Sequence, residues 1–307
     1  MESEVSTTSQ RNEGDLTTLN QITILSGKGG TGKTTITAAF AVLAQNSVIA
    51  DCDVDAPDLH MLLHPTPIQT QEFKGAKLAH INHNKCIECG LCRETCRFNA
   101  ITDSVIDPIL CEGCGTCVVV CPEEAIDLKE RVSGEAFISE TKYGLMSHAL
   151  LFPGGVNSGK LVTIVRQNAK QVAEKNGRNH ILIDGPPGIG CPVIASVTGV
   201  DMGVIVTEPT VSGIHDMKRV LQLLVHFNVR PLVCINKYDL NKNNSRKIAR
   251  FCKRQRIDII GKVPFDPIVT KALVSEEPII EYSPKSQVSR EIKLMWEDLY
   301  ARTDNGV

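Results

Sequence analysis

The sequence predicts an α/β fold with a mostly parallel sheet flanked by helices. Short, largely apolar segments recur along the chain and alternate with stretches of helical periodicity. Short buried strands that alternate with helices form parallel sheets, which are covered on both faces. The predicted strands are Ile22–Leu25, Ser47–Ala50, Ile181–Ile183, Met202–Val206, Pro231–Ile235 and Ile257–Ile260. The predicted helices are Thr34–Ala44, Gly213–His226, Asn241–Arg256 and Val288–Tyr300.

The composition argues against several classes of protein. Of the 307 residues, 42% are hydrophobic and 22% are charged, as in ordinary globular domains. The formal net charge of −2 gives no global attraction to nucleic acid, so we predict no nucleic-acid partner. No apolar run approaches the roughly 20 residues needed to span a bilayer, so we predict no membrane span.

The two chain ends are predicted to be tails. Residues 1–20 are polar and lack the apolar core of a signal peptide, so we expect a disordered tail and a cytoplasmic protein. Residues 301–307 are predicted to form a second, short tail.

A phosphate-binding loop follows the first predicted strand. The segment Gly27-Lys28-Gly29-Gly30-Thr31-Gly32-Lys33-Thr34 satisfies G-x-x-x-x-G-K-[ST] and lies between a strand and a helix, as this motif requires. Its glycines let backbone N–H groups converge on phosphates, and the helix N-terminus adds positive potential. We expect Lys33 to reach the β- and γ-phosphates and the Thr34 hydroxyl to bind Mg²⁺, with Thr35 beside them.

Eight of the twelve cysteines fall between Cys86 and Cys121, where two similar runs follow each other. Each run has the spacing C-x2-C-x2-C-x3-C, and the second repeats the first with a period of 25 residues. In bacterial ferredoxins the first three cysteines of such a run bind one [4Fe–4S] cluster and the fourth binds the other. This assigns Cys86, Cys89, Cys92 and Cys121 to one cluster, and Cys111, Cys114, Cys117 and Cys96 to a second.

The cysteine repeat also defines the domain organisation. We predict that residues 80–127 form a small α+β ferredoxin-like domain, inserted into an α/β domain made of residues 21–79 and 128–300. After the insert we expect a hairpin that turns near Tyr143-Gly144, and then a helix that starts at Asn157 or Ser158. Zinc remains an alternative to iron–sulfur clusters because paired C-x2-C units also bind zinc. The proline that usually follows the fourth cysteine is present as Pro122 but is replaced by Arg97 in the first run.

The segment KGGTGKT around Lys28 resembles the deviant Walker motif of the MinD/ParA class of P-loop ATPases, which includes the nitrogenase iron protein. Further segments, DGPPGIGCPVIA from Asp184 and EPTVSG from Glu208, resemble members of this class with an inserted ferredoxin domain. The resemblance implies a nucleotide-sandwich dimer, formed with itself or a paralogue, in which Lys28 reaches the partner's nucleotide. It further implies that Asp53 positions the attacking water and Mg²⁺, and that Asp184 holds Mg²⁺.

The same resemblance suggests residues for nucleotide recognition. Gly188 would offer its backbone N–H to the γ-phosphate. Taken alone, Asn236-Lys237-Tyr238-Asp239 would suggest guanine, but in the deviant class the matching asparagine contacts adenine, so ATP is favoured over GTP. Pro264, within Val263–Asp266, is predicted to close over the base or the ribose.

Three functions remain open at this stage. ATP hydrolysis could gate electron transfer from the clusters to an unknown partner, it could drive delivery of an iron–sulfur unit or metal to a client, or it could position a cargo while the clusters sense redox state. We favour the first.

Cys191, after the Gly188-Ile189-Gly190 turn, is a weak candidate for an intersubunit ligand. The basic segment 242–256 is interpreted as a solvated helix face rather than a nucleic-acid site.

Overall fold

The fold is described from a computed structural model, which covers residues 19–156 and 158–304. Its strands are β1 (Asn20–Ser26), β2 (Ser47–Asp51), β3 (Thr66–Ile81), β4 (Ile101–Thr102), β5 (Val105–Ile106), β6 (Ile126–Thr141), β7 (Gly144–Leu151), β8 (His180–Pro187), β9 (Met202–Thr207), β10 (Arg230–Asn236) and β11 (Asp258–Val263). Its helices are α1 (Lys33–Leu43), α2 (Leu59–Leu63), α3 (Leu91–Thr95), α4 (Thr116–Val120), α5 (Ser158–Lys175), α6 (Cys191–Val197), α7 (Val211–His226), α8 (Lys242–Gln255), α9 (Pro267–Val274), α10 (Ile279–Tyr282) and α11 (Gln287–Asp304).

A nine-stranded sheet organises the molecule, in the order β11-β10-β9-β1-β8-β2-β7-β6-β3. Neighbours from β11 to β7 are parallel, whereas β7, β6 and β3 are antiparallel to one another. The predicted α/β fold with a mostly parallel sheet is therefore confirmed. Because the parallel strands share one direction, their carboxyl ends meet at one edge of the sheet, where α/β folds bind ligands.

Helices cover both faces of the parallel region, and the two-residue period of the strands divides the core between these faces. In β8, Ile181 and Ile183 pack with Leu161 of α5 on one face. Leu182 lies between them and packs on the other face, with Phe40 of α1. All four of these aliphatic side chains are at most 1% exposed. Continuous apolar strands are thus explained by burial on both sides.

The longest strands were not predicted. β3 and β6 each run for 16 residues and pair along their length as an antiparallel ribbon. Most of β3 is exposed and polar, so it lacks the short apolar run that marked the other strands. Its ladder has three irregularities, two of which flank Lys74. The predicted insert limits, His80 and Asp127, are cross-strand partners whose side chains lie 3.2 Å apart, so residues 80–127 leave and rejoin the ribbon at one point.

Several predicted boundaries shift. β1 already begins at Asn20, and α11 continues through Asp304, so the predicted tails at 1–20 and 301–307 are each too long at their inner ends. The remaining tail residues, 1–18 and 305–307, lie outside the described part, as does Asn157. α5 begins at Ser158, and the hairpin of β6 and β7 turns at residues 142–143, as predicted. In the described residues no helix is both long and apolar enough to cross a membrane.

The predicted repeat within residues 80–127 has a structural counterpart. Gly90 and Gly115 precede α3 and α4 with φ values of 81° and 80°, a backbone region that favours glycine. The backbone N–H of Asn82 donates to Ala125 O at 2.7 Å, and its repeat equivalent Asp107 donates to Ala100 O at 2.8 Å. These two bonds join the copies reciprocally, so the segment is built around a local twofold axis.

The contact between α1 and α11 provides a test of the core. Phe40 is fully buried, and its ring lies 5.5 Å from that of Trp296, the one tryptophan of the chain. Phe40→Ala would leave a cavity, and we expect it to lower the free energy of unfolding by about 3–5 kcal/mol. Leu294→Ala, at a 59% exposed position of α11, should change it by less than about 0.5 kcal/mol. Urea denaturation followed by far-UV circular dichroism would measure both; equal effects would contradict this packing.

Candidate nucleotide site and cysteine pockets

The phosphate loop joins β1 to α1, as predicted. Gly30 and Gly32 have φ values of 77° and 91°, which L side chains rarely adopt. A Cβ on Gly32 would also collide with the side-chain amide of Asn236. Glycine is therefore required at position 32 by both the backbone conformation and the neighbouring strand end.

Lys33 and Asp184 form a buried ion pair behind this loop. The Lys33 ammonium lies 2.8 Å from Asp184 Oδ2, and the two side chains are 6% and 1% exposed. Thr34 donates to the same carboxylate oxygen at 2.9 Å, and Thr37 donates to the other oxygen at 2.6 Å. Burial alone would lower the pKa of Lys33, but the Asp184 carboxylate outweighs it and the pKa is raised. Lys33 is therefore firmly charged.

Carboxylates outnumber cations at this point. Asp51 ends β2 directly opposite Asp184 in the ladder, and Asp53 lies 3.7 Å from the Lys33 ammonium. Burial, followed by the Asp184 charge, raises the pKa of Asp51 well above its usual range. The same two causes raise the pKa of Asp53 to about 6, against the opposing pull of Lys33.

This excess of negative charge suits a divalent cation. Asp51 Oδ2 is buried and has no hydrogen-bond partner among the described residues. Magnesium takes one or two carboxylates together with phosphate and water oxygens, which is the donor set that Thr34, Asp53 and Asp184 offer. These residues fit the predicted Mg²⁺ site. Within the described part of the chain, no three His, Cys, Asp or Glu side chains are arranged to hold a metal ion by themselves.

Lys28 lies on the outer side of the loop and is engaged within its own chain. Its ammonium is 2.5 Å from Glu208 Oε1 and 3.2 Å from Ser212 Oγ. Glu208 also lies 3.4 Å from Lys237. Burial would raise the pKa of Glu208, but the hydrogen bond from Lys28 and the nearby Lys237 charge lower it overall. The trans role predicted for Lys28 therefore requires release from Glu208.

A cavity of about 720 Å³ opens beside the phosphate loop. Its size falls within the range of small-molecule sites. Predicted phosphate ligands and predicted base contacts line the same space, although they lie far apart in the sequence. The predicted residues along its wall are Gly29, Gly30, Thr31, Gly32, Lys33, Thr34, Thr35, Asp53, Asn236, Lys237 and Pro264. Gly27, Lys28, Asp184 and Gly188 lie next to this wall but do not form it.

Asn236 and Lys237 bind the loop rather than facing the cavity freely. The Asn236 amide donates to Thr31 O at 2.7 Å, and its Oδ1 accepts from the Lys237 N–H. The Lys237 ammonium donates to Gly30 O at 3.0 Å. Both side chains thus fix the phosphate loop to the end of β10. Asp239 accepts from the Phe265 N–H at 2.7 Å, so it holds the rim of the cavity in place.

Gly188 has a φ of 94°, and its N–H donates to Ser26 O at 2.9 Å. The predicted contact with a γ-phosphate therefore requires this bond to open.

The predicted ligand sets coincide with two pockets in the cysteine-rich segment. The first cysteine pocket is lined by Cys86, Cys89, Cys92 and Cys121. The second cysteine pocket is lined by Cys96, Cys111, Cys114 and Cys117. Each pocket thus takes three cysteines of one run and the fourth cysteine of the other. All eight thiols are free, so no disulfide competes for them.

The surroundings of these sulfurs are repeated as well. The N–H of Ala100 donates to Cys96 Sγ at 3.4 Å, and that of Ala125 donates to Cys121 Sγ at 3.3 Å. Such donors stabilise thiolates that bind a cluster. Each pocket thus offers four cysteine side chains, with an amide donor to one of the sulfurs, and four cysteines are the ligand number that a [4Fe–4S] cluster takes.

The remaining cysteines and the basic segment are separate features. Cys52, Cys234 and Cys252 are fully buried, and burial raises the pKa of each thiol, so they are core residues. Cys191 is exposed at the start of α6. The cations of the 242–256 segment are exposed, and Ile248 and Cys252 turn inward, as predicted for a solvated helix face.

Three site residues were given no individual role from the sequence: Asp51, Thr37 and Glu208. Asp51 is the last residue of β2, and Glu208 directly follows β9, so both lie at the ligand-binding edge of the sheet. Thr37 follows Lys33 by one helical turn on α1. In the sequence, the signal for Asp51 and Glu208 was their position, since each is an acidic residue close to the carboxyl end of a predicted strand.

Comparisons with known proteins show the family and the fold of the chain. Residues 22–279 match the CobQ/CobB/MinD/ParA nucleotide-binding domain. An uncharacterised protein of Methanocaldococcus jannaschii is 36% identical over 282 residues, covering 91% of this chain and 96% of that protein. The septum site-determining protein MinD of Pyrococcus horikoshii, solved with Mg-ADP, superposes with a TM-score of 0.58 at 16% identity, covering 92% and 96% of the two chains. The polyferredoxin MvhB of Methanothermobacter thermautotrophicus is 41% identical over 59 residues, 18% of this chain and 14% of that one.

The contacts of Asn236 make a prediction about affinity. Because its amide holds Thr31 O, Asn236→Ala should weaken binding of ATP and of inorganic tripolyphosphate by a similar factor, about 5- to 30-fold for one lost hydrogen bond. Phe265→Ala, in the cavity-lining segment that is predicted to close over the base or the ribose, should weaken ATP binding and leave tripolyphosphate binding unchanged. Isothermal titration calorimetry would measure both. A loss confined to ATP in Asn236→Ala would instead assign Asn236 to the base.

The raised pKa of Asp53 makes a prediction about stability. Its folded pKa of about 6 exceeds the unfolded value of about 4, so the folded state binds more protons between these values, and stability falls as pH rises through this window. Asp53→Asn should therefore stabilise the nucleotide-free protein at pH 7 by about 1–3 kcal/mol, and by less at pH 4.5. Urea midpoints at the two pH values would test this, with exposed Glu297→Gln as the control. A pH-independent effect would contradict it.

Proposed function

The chain belongs to the CobQ/CobB/MinD/ParA nucleotide-binding family, and from this membership we propose that it is an ATPase whose hydrolysis cycle gates electron transfer through two [4Fe–4S] clusters. One observation carries the proposal: the eight cysteines divide into two pockets of four, in a segment attached to the same sheet that holds the phosphate loop. The clusters, the dimer and the redox partner are proposals.

In the proposed reaction, the charges at the phosphate loop change partners. Lys33 leaves Asp184 and binds the β- and γ-phosphates. Asp184 and the Thr34 hydroxyl are thereby freed to hold Mg²⁺, which neutralises phosphate charge when it is bound. Asp53 orients the attacking water. Magnesium, when bound, would hold Asp53 in its charged form, which can accept a hydrogen bond from that water.

Lys28 is proposed to complete the site across a dimer. In this conformation Glu208 and Ser212 hold it in its own chain. Binding of a second copy would exchange the Glu208 carboxylate for the partner's phosphates as the counter-charge. Stabilisation of phosphate charge by a cation supplied in trans accelerates phosphoryl transfer strongly. Hydrolysis would therefore depend on assembly.

The cysteine pockets are proposed to hold the electron carriers. A [4Fe–4S] cluster supplies one-electron chemistry when it is bound. The chain provides four thiolates per pocket and the amide donors of Ala100 and Ala125. The local identity to a polyferredoxin supports iron–sulfur clusters over zinc.

The sheet provides the proposed coupling between nucleotide and clusters. β3 and β6 carry the cysteine-rich segment, β6 pairs with β7, and β7 pairs with β2. β2 ends at Asp51, next to Asp53 and opposite Asp184. A change of charge at the phosphate loop thus acts on a strand two positions away from the ribbon. An ATPase with two states can gate electron transfer in this way, provided that nucleotide shifts the balance between them.

ATP is proposed as the nucleotide. The acid of the N-K-x-D segment, Asp239, is occupied by the Phe265 N–H and does not line the cavity, so it is not placed to select guanine.

Delivery of an iron–sulfur unit to a client is the second candidate. Cys89 and Cys114 are exposed, one in each pocket, so a client could reach either set of ligands.

An anaerobic, EPR-monitored redox titration of the reconstituted protein tests the main proposal. We expect about eight iron atoms per chain, the number in two [4Fe–4S] clusters, and a shift of midpoint potential or spectrum on addition of Mg-ATP. Lys28→Ala should still bind ATP but lose most hydrolysis and the Mg-ATP effect.

Each alternative has its own outcome. If the purified protein contained one zinc ion per four cysteines, the pockets would be zinc sites and the cluster proposal would fail. Unchanged cluster signals in the presence of ATP, with hydrolysis intact, would exclude gating, and transfer of iron to an apo-ferredoxin would then support delivery.

A further inference from the structure

The two cysteine pockets are built from equivalent repeats but differ around one cysteine. Cys89 and Cys114 are equivalent, and both are exposed. Two positions later, the first run has Leu91 and the second has Thr116. Thr116 Oγ lies 3.5 Å from Cys114 Sγ, within hydrogen-bonding distance for sulfur. Leu91 has no donor to offer at the equivalent place.

In the first pocket a hydroxyl contacts a different cysteine, at a longer distance. Ser104 Oγ lies 3.9 Å from Cys86 Sγ, a longer contact than that of Thr116. The repeat equivalent of Ser104 is Lys129, which lies in β6. Hydroxyl contacts therefore differ between the pockets in position and in length, while the amide donors of Ala100 and Ala125 match within 0.1 Å.

The two cysteine pockets also differ in the number of acidic side chains that line them. Glu88 and Glu123 line the first pocket, whereas Glu112 lines the second. Negative charge near a cluster disfavours the added electron, and a hydrogen bond donated to a ligand sulfur favours it. Both effects favour reduction of a cluster in the second pocket over one in the first. Salt partly screens the exposed carboxylates and so weakens the charge effect.

We propose that Thr116 makes the cluster held by Cys96, Cys111, Cys114 and Cys117 the more easily reduced of the two, and so sets the direction of electron movement within the segment. This rests on the proposed function, which supplies the clusters. Thr116 acts through Cys114 and is therefore a positioning residue. A one-electron donor protein would be oxidised as it reduces the first cluster, and the same electron would then reduce the second cluster and reoxidise the first.

The positions of the two pockets give this direction a meaning. The second pocket reaches down the ribbon: Ala79 of β3 lines it, and Gly113 approaches the backbone of Lys77. The first pocket meets the ribbon at Ile126, where β6 begins. In the proposed direction, an electron therefore moves from the cluster at the outer end of the cysteine-rich segment to the cluster nearer the sheet that binds nucleotide.

The test is an anaerobic EPR redox titration of the full-length reconstituted protein and of three variants. Wild-type protein should titrate with two distinct midpoints. Thr116→Val, which removes the hydroxyl and keeps the shape, should lower the higher midpoint and leave the lower one in place. Thr116→Ser, which keeps the hydroxyl, should restore the wild-type value. Leu91→Thr, which gives the first run the residue of the second, should raise the lower midpoint. Both positions are exposed, so folding should be unaffected.

Two outcomes would overturn the inference, and they are distinguishable from failure of the proposed function. If iron and sulfide are present but Thr116→Val moves neither midpoint, or moves the lower one, Thr116 does not set the difference, while the proposed function stands. If the wild-type protein retains no iron–sulfur cluster under reconstitution, the proposed function fails and this inference fails with it.

Discussion

The buried ion pair between Lys33 and Asp184 is the interaction on which the nucleotide site depends. Lys33 starts α1 and Asp184 lies in β8, so the pair binds the first helix to the centre of the sheet. Thr34 donates to the same Asp184 oxygen as Lys33, and Thr37 donates to the other. A buried charge that loses its partner is destabilising. A ligand that binds Lys33 in place of Asp184 must therefore also bring a positive charge to Asp184. Mg²⁺ with a nucleotide phosphate meets both requirements, and neither component alone does.

The same edge of the sheet explains why residues from five strands meet at one place. β1, β2, β9 and β10 end there with a polar residue, and β8 carries Asp184 shortly before its end. Lys237 and Asn236 fasten the phosphate loop to β10, and Glu208 holds Lys28 after β9. The loop is therefore restrained on both sides, and the groups that restrain it are themselves charged or polar. A change of ligand at the loop necessarily alters these contacts.

Sequence reasoning predicted the parts of this protein that are governed by short-range rules. The parallel strands followed from apolar runs, the phosphate loop from its glycines and lysine, and the division of Cys96 and Cys121 between opposite pockets from the ferredoxin spacing. It missed β3, because a long exposed strand has neither an apolar run nor strict alternation. It also missed Asp51 and Thr37, since their roles arise only when β2, β8 and α1 are packed together. The contacts of Asn236 with the loop depend on the same packing and could not be read from the N-K-x-D segment.

The irregular ladder of β3 has a consequence for how the molecule meets its neighbours. β3 is the outermost strand of the described sheet, and an uninterrupted outer edge on a 16-residue strand would be a template for strand addition and aggregation. The register shifts beside Pro67, Phe73 and Lys74, together with Gly75, interrupt the row of backbone groups that another strand would need. The edge that carries the cysteine-rich segment is thus protected from self-association, which keeps that segment accessible at the end of a long, exposed ribbon.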